Sequence, residues 1–167
     1  MSFPPDKPAL QQSAMGEARQ NPRQFAFLLV DRFSMFSLAA AIDTVRSANR
    51  LLGRDVYSWV TVSADGEAVM ASNGLPIKID YAIADLPPVD ILFVCVGLTT
   101  EFPGKSTVLA GLRSLGRRGA ALGALAAGSY LLAEAGQLEG HRCTIHWENR
   151  ESLREEFPEI ELTNHLF

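Results

Sequence analysis

Phe25-Ala26-Phe27-Leu28-Leu29-Val30-Asp31-Arg32-Phe33-Ser34 is the stretch that decides the fold. Six consecutive apolar residues without polar alternation describe a strand buried on both faces, the signature of a parallel sheet covered by helices. Asp31–Ser34 is a turn, and Ser34 is a helix N-cap. Beyond it Met35, Leu38, Ala39, Ile42, Val45, Arg46 and Asn49 recur at helical spacing until Gly53 stops the helix.

The same alternation continues downstream. Val56–Ser63 reads as a strand, and Ile91–Val96 and Ala120–Leu125 as two more buried strands. Asp65-Gly66 and Asn73-Gly74 are turns, with Ala68–Ala71 and Leu75–Ile79 making a small antiparallel excursion. Ser106–Arg118 is an amphipathic helix, Tyr130–Ala135 a short one closed by Gly136, and Glu148–Phe157 a third. Arg142–Ile145 and Ile160–Leu162 read as further strands. Strands alternating with helices across short loops predict an α/β fold, doubly wound, with a mostly parallel sheet and helices on both faces.

The chain has 167 residues, enough for one domain; 47% are hydrophobic and 20% charged. A formal net charge of −4 argues against a whole-surface basic field for gripping nucleic acid. The longest uncharged stretch, Gly119–Ala133, is too short for a membrane span and carries three glycines. Cys95 and Cys143 are too few for a disulfide scaffold and read as buried, reduced thiols in a cytoplasmic protein. Residues 1–23 are polar and Pro-containing with no apolar signal region, and are expected to be a disordered or poorly anchored tail. Glu161–Phe167 stops within a strand-like stretch, so the domain over residues 24–167 is expected to be incomplete at its C-terminus.

Ligand sites in open α/β sheets lie beyond the carboxyl ends of the strands. Three edges qualify: Asp31–Phe36, Gly97–Thr100 and Ala126–Ser129. The last two offer backbone N–H groups near helix starts, suited to anions or polar oxygens. A sharp strand-to-helix turn commonly holds a nucleophile, but Ala126 and Ala127 cannot attack anything. Gly97 is read either as a turn with positive φ or as a wall that lets a ligand approach the backbone. His146 and Trp147 form a polar-aromatic pair, either packing or facing a cationic ligand, with Glu148 supplying charge. Asp43, Arg46 and Asn49 read as an intrahelical pair with surface or dimer contacts. His141 and His165 lack zinc-ligand spacing; neither metal nor cofactor is assigned.

Several motifs occur together in order. They are Phe33-Ser34-Met35 with Asp43–Arg50, Ser72-Asn73-Gly74, Asp90–Val94 with Gly97, Gly123–Tyr130, and Cys143–Glu148. In that order and spacing they resemble the N-terminal domain of GlxA-type, AraC-family transcriptional regulators. That domain is similar in fold to the ThiJ/PfpI proteins of the class I glutamine-amidotransferase-like group. The resemblance implies a flavodoxin-like domain preceding a helix-turn-helix domain and sensing nitrogenous metabolites such as amino acids or quaternary amines. ThiJ/PfpI enzymes carry a cysteine at the turn and an acid on the first helix; the matching positions are Ala126 and Ser37. The resemblance therefore implies a catalytically silent sensing and oligomerisation domain, a likeness of an enzyme without its chemistry.

The expected ligand-binding set is Phe33, Ser37, Asn73, Gly97, Leu98, Thr99, Ala126, Ala127, Ser129, His146 and Trp147. The expected partners are a small-molecule effector and a second copy of the chain. DNA would be touched only through a domain absent from this chain, and no membrane is involved. An alternative is a ThiJ/PfpI-type enzyme, a hydrolase, hydratase or amidotransferase-like catalyst, using Cys95 or Ser129 as nucleophile. Desolvation of Cys95 in its apolar strand opposes it. A purely structural dimerisation module is a third reading.

Overall fold

The structure is a computed structural model that describes residues 21–163. Five strands form a parallel sheet: β1 (Arg23–Leu29), β2 (Tyr57–Ser63), β5 (Tyr81–Ala82), β6 (Ile91–Val96) and β7 (Ala121–Ala126). Their spatial order is β5-β2-β1-β6-β7. Between β2 and β5 lies an antiparallel ribbon of β3 (Val69–Met70) and β4 (Pro76–Ile77), the excursion expected from the two turn signals. The helices are α1 (Met35–Leu52), α2 (Lys105–Arg117), α3 (Gly128–Glu134) and α4 (Arg150–Glu156). A short parallel pair, β8 (Arg142–Cys143) and β9 (Glu161–Leu162), completes the described chain.

β1 shows why an unbroken apolar run makes a central strand. Phe25, Phe27 and Leu29 face one side and pack with Leu38 and Val45 of α1. Ala26, Leu28 and Val30 face the other and pack with Val108, Leu112 and Leu115 of α2 and Leu131 of α3. The period of two along a strand delivers alternate residues to two cores. On the α1 face the rings of Phe25, Phe27 and Phe93 stack with centroids 6.0–6.5 Å apart. Gly123 of β7 leaves room for the Phe93 ring, which a Cβ there would strike.

The ends of α1 are set by local chemistry. The Ser34 hydroxyl accepts the Ser37 N–H, and Gly53 closes the helix in the left-handed region at φ 64°. Asp43 and Arg46 form the expected exposed pair at 2.7 Å. Asn49 does something else: its Oδ1 accepts from Val56 N and Tyr57 N, and its Nδ2 donates to the Tyr57 carbonyl. It fastens the end of α1 to the start of β2.

Three expectations need correction, and one lies where the structure gives no description. Arg23 already belongs to β1, its N–H bonded to the Val56 carbonyl, so the sheet takes in a residue assigned to the tail. Residues 1–20 and 164–167, with the tail and the chain end, lie outside the described residues. β7 is half-buried rather than buried, because it is the last strand of the sheet and its small side chains cover little. The helix expected over Glu148–Phe157 is a 3-10 turn, Trp147–Asn149, followed by α4; His146 caps the turn by accepting the Glu148 N–H at Nδ1.

Candidate functional site

After β1 the chain turns back through α1 to β2 on one side, then crosses to β6 on the other. This reversal of strand order opens a crevice above the carboxyl ends of β1 and β6, where α/β proteins bind ligands. The crevice here is a cleft of about 680 Å³. Arg32, Ser34, Phe36 and Ser37 line it after β1, and Ser72 from the ribbon. Gly97, Leu98 and Thr99 line it after β6, Ala126 after β7, and His146, Trp147 and Glu148 from the 3-10 turn.

Backbone strain marks two of these positions. Arg32 and Ala126 are the only non-glycine residues among those described with positive φ, at 60° and 55°. An L-residue held there costs roughly 1–2 kcal/mol, so the surrounding structure must hold it in place. For Ala126 the holding comes from pairing with Val96 on one side and from Ala127 and Gly128, sunk into the core, on the other. A Cβ on Gly128 would run into the Val94 carbonyl, so α3 packs directly on β6. The sharp turn therefore presents one methyl group to the cleft.

Gly97 is required for a different reason than positive φ, which it does not have. Its hydrogen faces the Arg32 carbonyl oxygen so closely that a Cβ would collide with it. The two loops that build the floor are thus in backbone-to-backbone contact. Arg32 is tied from the other side, its N–H donating to the Met70 carbonyl at 2.7 Å, and Ser72 N donates to the Phe33 carbonyl at 2.9 Å. The loop after β6 is anchored at its far end by Lys105, paired with Glu101 at 2.5 Å and Glu134 at 2.6 Å.

The rim is apolar and open. Phe36, Leu98 and Trp147 are 83%, 55% and 74% exposed. The His146 and Trp147 rings lie 5.7 Å apart, tilted at 30°. Ser37 Oγ donates to Ser34 Oγ at 3.1 Å, so a small hydroxyl pair sits at the foot of α1. Arg32 and Glu148 bring one formal charge of each sign.

Of the residues singled out from sequence, Ser37, Gly97, Leu98, Thr99, Ala126, His146 and Trp147 meet at this cleft. Four do not line it. Phe33 is wholly buried in the α1-side core, and Ala127 in the opposite core. Asn73 is spent on its own turn, its Oδ1 accepting the Leu75 N–H. Ser129 is buried and its hydroxyl donates to the Thr144 carbonyl at 2.7 Å. The expected set left out Arg32, Ser34, Phe36, Ser72 and Glu148, although each sits in a loop flagged from sequence or beside a residue named there. Strand ends identify the loop, but only the three-dimensional turn shows which side chain faces inward.

The thiols stand apart from this geometry. Cys95 is 1% exposed and faces the α1-side core, where burial pushes its thiol well above the ordinary range. Cys143 is half-buried, and burial raises it too. Among the described residues no group of three or more His, Cys, Asp and Glu is placed to hold a metal ion. No helix among them is long and apolar enough to cross a membrane.

A parallel flavodoxin-like sheet, a strained strand-to-helix turn at the carboxyl end of β7, and a cleft beside it define a class of α/β proteins. The chain belongs to the DJ-1/PfpI family, whose sequence profile matches residues 26–161. Its relatives narrow this. The HTH-type transcriptional regulator GbdR of Pseudomonas aeruginosa is 40% identical over 148 residues, 89% of this chain and 40% of its own length. The HTH-type transcriptional regulator GlxA of Rhizobium meliloti is 34% identical over 142 residues, 84% of this chain and 44% of its own. The crystal structure of an AraC family transcriptional regulator from Pseudomonas putida superposes with a TM-score of 0.77 at 34% identity. It covers 86% of this chain and 77% of that one. The chain spans about two fifths of the length of these curated regulators.

Proposed function

We propose that this chain is the effector-sensing and oligomerisation domain of an AraC-family transcriptional regulator, catalytically silent and cytoplasmic. The carrying observation is the cleft itself: a pocket of about 680 Å³ at the family's elbow, where the residue at the turn is Ala126. A methyl group has no lone pair or proton to offer. Ser37, at the position the resemblance assigns to an acid, supplies a neutral hydroxyl already bonded to Ser34. The absence of a thiol and of an acid at the two positions the resemblance marks for them supports binding over catalysis.

The lining supports a small zwitterionic nitrogen compound, an amino acid or a quaternary amine bearing a carboxylate. Trp147 presents an open π face to a cation, an attraction worth ~0.5–2 kcal/mol, with Glu148 beside it. Arg32 gives the carboxylate a guanidinium partner. Phe36 and Leu98 supply apolar contact for methyl groups. Neither Cys95 nor Ser129 rescues an enzymatic reading: one is a buried neutral thiol, and the other has its proton committed to a carbonyl.

Sensing then works by population shift: an effector that binds one arrangement of paired domains better biases whatever DNA-binding segment is attached. A thermal-shift and calorimetric screen of L-amino acids, betaines, carnitine-like compounds and tetramethylammonium tests the reading. Saturable binding to at least one class is expected. Binding to none would overturn it.

A further inference from the structure

We propose that the short turn His146–Arg150 transmits cleft occupancy to the β8–β9 layer through two adjacent side chains, Asn149 and Arg150. The proposal rests on reading the cleft as an effector site and names the part that moves.

Asn149 reaches across the cleft's edge. Its Nδ2 donates to the Leu98 carbonyl at 3.2 Å, joining segments 51 residues apart. Leu98 and Trp147 both line the cleft, so this bond ties its two opposing rims together. The tie is held from one side only: Asn149 Oδ1 is buried with no partner among the described residues. A single hydrogen bond at that distance is weak enough to break and re-form when a ligand changes the gap between rims.

Arg150 faces the other way. Its Nη1 donates to the Thr163 carbonyl at 3.1 Å, and Thr163 N donates to the Cys143 carbonyl at 2.9 Å. Thr163 follows β9, whose Leu162 pairs with Cys143 of β8. One side chain therefore grips the cleft and its neighbour grips the end of the described chain.

The turn between them is short and internally bonded, so it moves as a unit. Asn149 N donates to the His146 carbonyl at 2.9 Å, and Arg150 N to the Trp147 carbonyl. Its cleft end is lightly held, with His146 N to the Ala126 carbonyl at 3.4 Å. Its far end runs into α4, pinned by fully buried Leu153 in a cluster with Tyr130 and Ile160. A ligand that draws Trp147 inward rotates the turn about that fixed point and carries Asn149 and Arg150 with it.

Hydrogen exchange read by mass spectrometry on the whole chain tests this without a ligand. Asn149→Ala is expected to raise exchange about 3-fold or more over both residues 97–101 and 160–163, and Arg150→Ala to do the same. Arg150→Lys is expected to restore part of the protection at both places. The double variant is expected to fall short of the product of the singles. If each variant loosens only the segment it touches, transmission is overturned. Asn149→Asp, nearly isosteric and without the donor, decides the matter if the alanine variant does not fold.

Tetramethylammonium then separates the two readings. Protection at 160–163 on binding, abolished by Arg150→Ala, supports transmission. Protection confined to residues 97–101 and 146–149 overturns it while leaving the effector reading standing. No binding by this probe or the wider ligand panel overturns the effector reading, and the exchange couplings alone then judge the turn.

Discussion

Gly97 and Arg32 meet backbone to backbone: the Cβ that Gly97 lacks would occupy the space of the Arg32 carbonyl oxygen. Arg32 is itself held at a φ of 60°. The loops after β1 and β6 thus share one contact, and the cleft floor depends on it. Gly97→Ala is expected to lose ~1–3 kcal/mol, since backbone cannot yield as a flexible side chain can. Urea unfolding measures the loss. A variant as stable as the parent would mean that the two loops are free to part.

Asn49 is expected to matter more for stability than its place near the end of an exposed helix suggests. Asn49→Ala deprives Val56 N, Tyr57 N and the Tyr57 carbonyl of their partner at once. A loss of ~2–3 kcal/mol is expected by chemical denaturation. Asn49→Asp keeps both acceptor bonds and should lose less.

The thiols offer a pH test with a definite sign. Burial holds Cys95 protonated when folded, above its usual value near 9. In the unfolded chain it ionises near that usual value, so above it the unfolded state binds fewer protons and stability falls as pH rises. Ellman's reagent at pH 7–9 should find Cys95 inert in the native protein and reactive in urea. Rapid native labelling of Cys95 would revive an enzymatic reading.

Ala126→Cys probes the elbow directly. A thiol there lines the cleft, so iodoacetamide is expected to modify it well before Cys95. Hydrolase activity is not expected to appear, because Ser37 brings no charge to tune the thiol. Equal protection of both cysteines would place residue 126 inside the core.

Most of the fold was legible because its signals are local. The run Phe25–Val30 announced a strand covered on both faces, and Ser34 and Gly53 marked the ends of α1 within a residue. Where the outcome depended on a neighbour in space, the sequence was silent. Ala121–Ala126 has the composition of a buried strand, but its burial is set by lying last in the sheet. Glu148–Phe157 carries helical spacing, but the His146 cap tightens its first turn to 3-10. At the site, motif order brought the right loops together and side-chain direction sorted them. Phe33 and Ser34 are adjacent, one wholly buried and the other lining the cleft.

The proposed function seats a zwitterionic or cationic nitrogen ligand in the cleft beside Ala126, against Trp147. Titration calorimetry of the parent and Trp147→Ala with betaines, carnitine-like compounds, L-amino acids and tetramethylammonium tests it most directly. Trp147 is 74% exposed, so its removal should leave the melting temperature almost unchanged. Saturable binding of at least one of these compounds to the parent is expected, weakened ~10-fold or more in the variant, as loss of a cation–π contact of ~1.4 kcal/mol requires. Equal affinity in parent and variant, or no binding to the parent by any of the four classes, would contradict it.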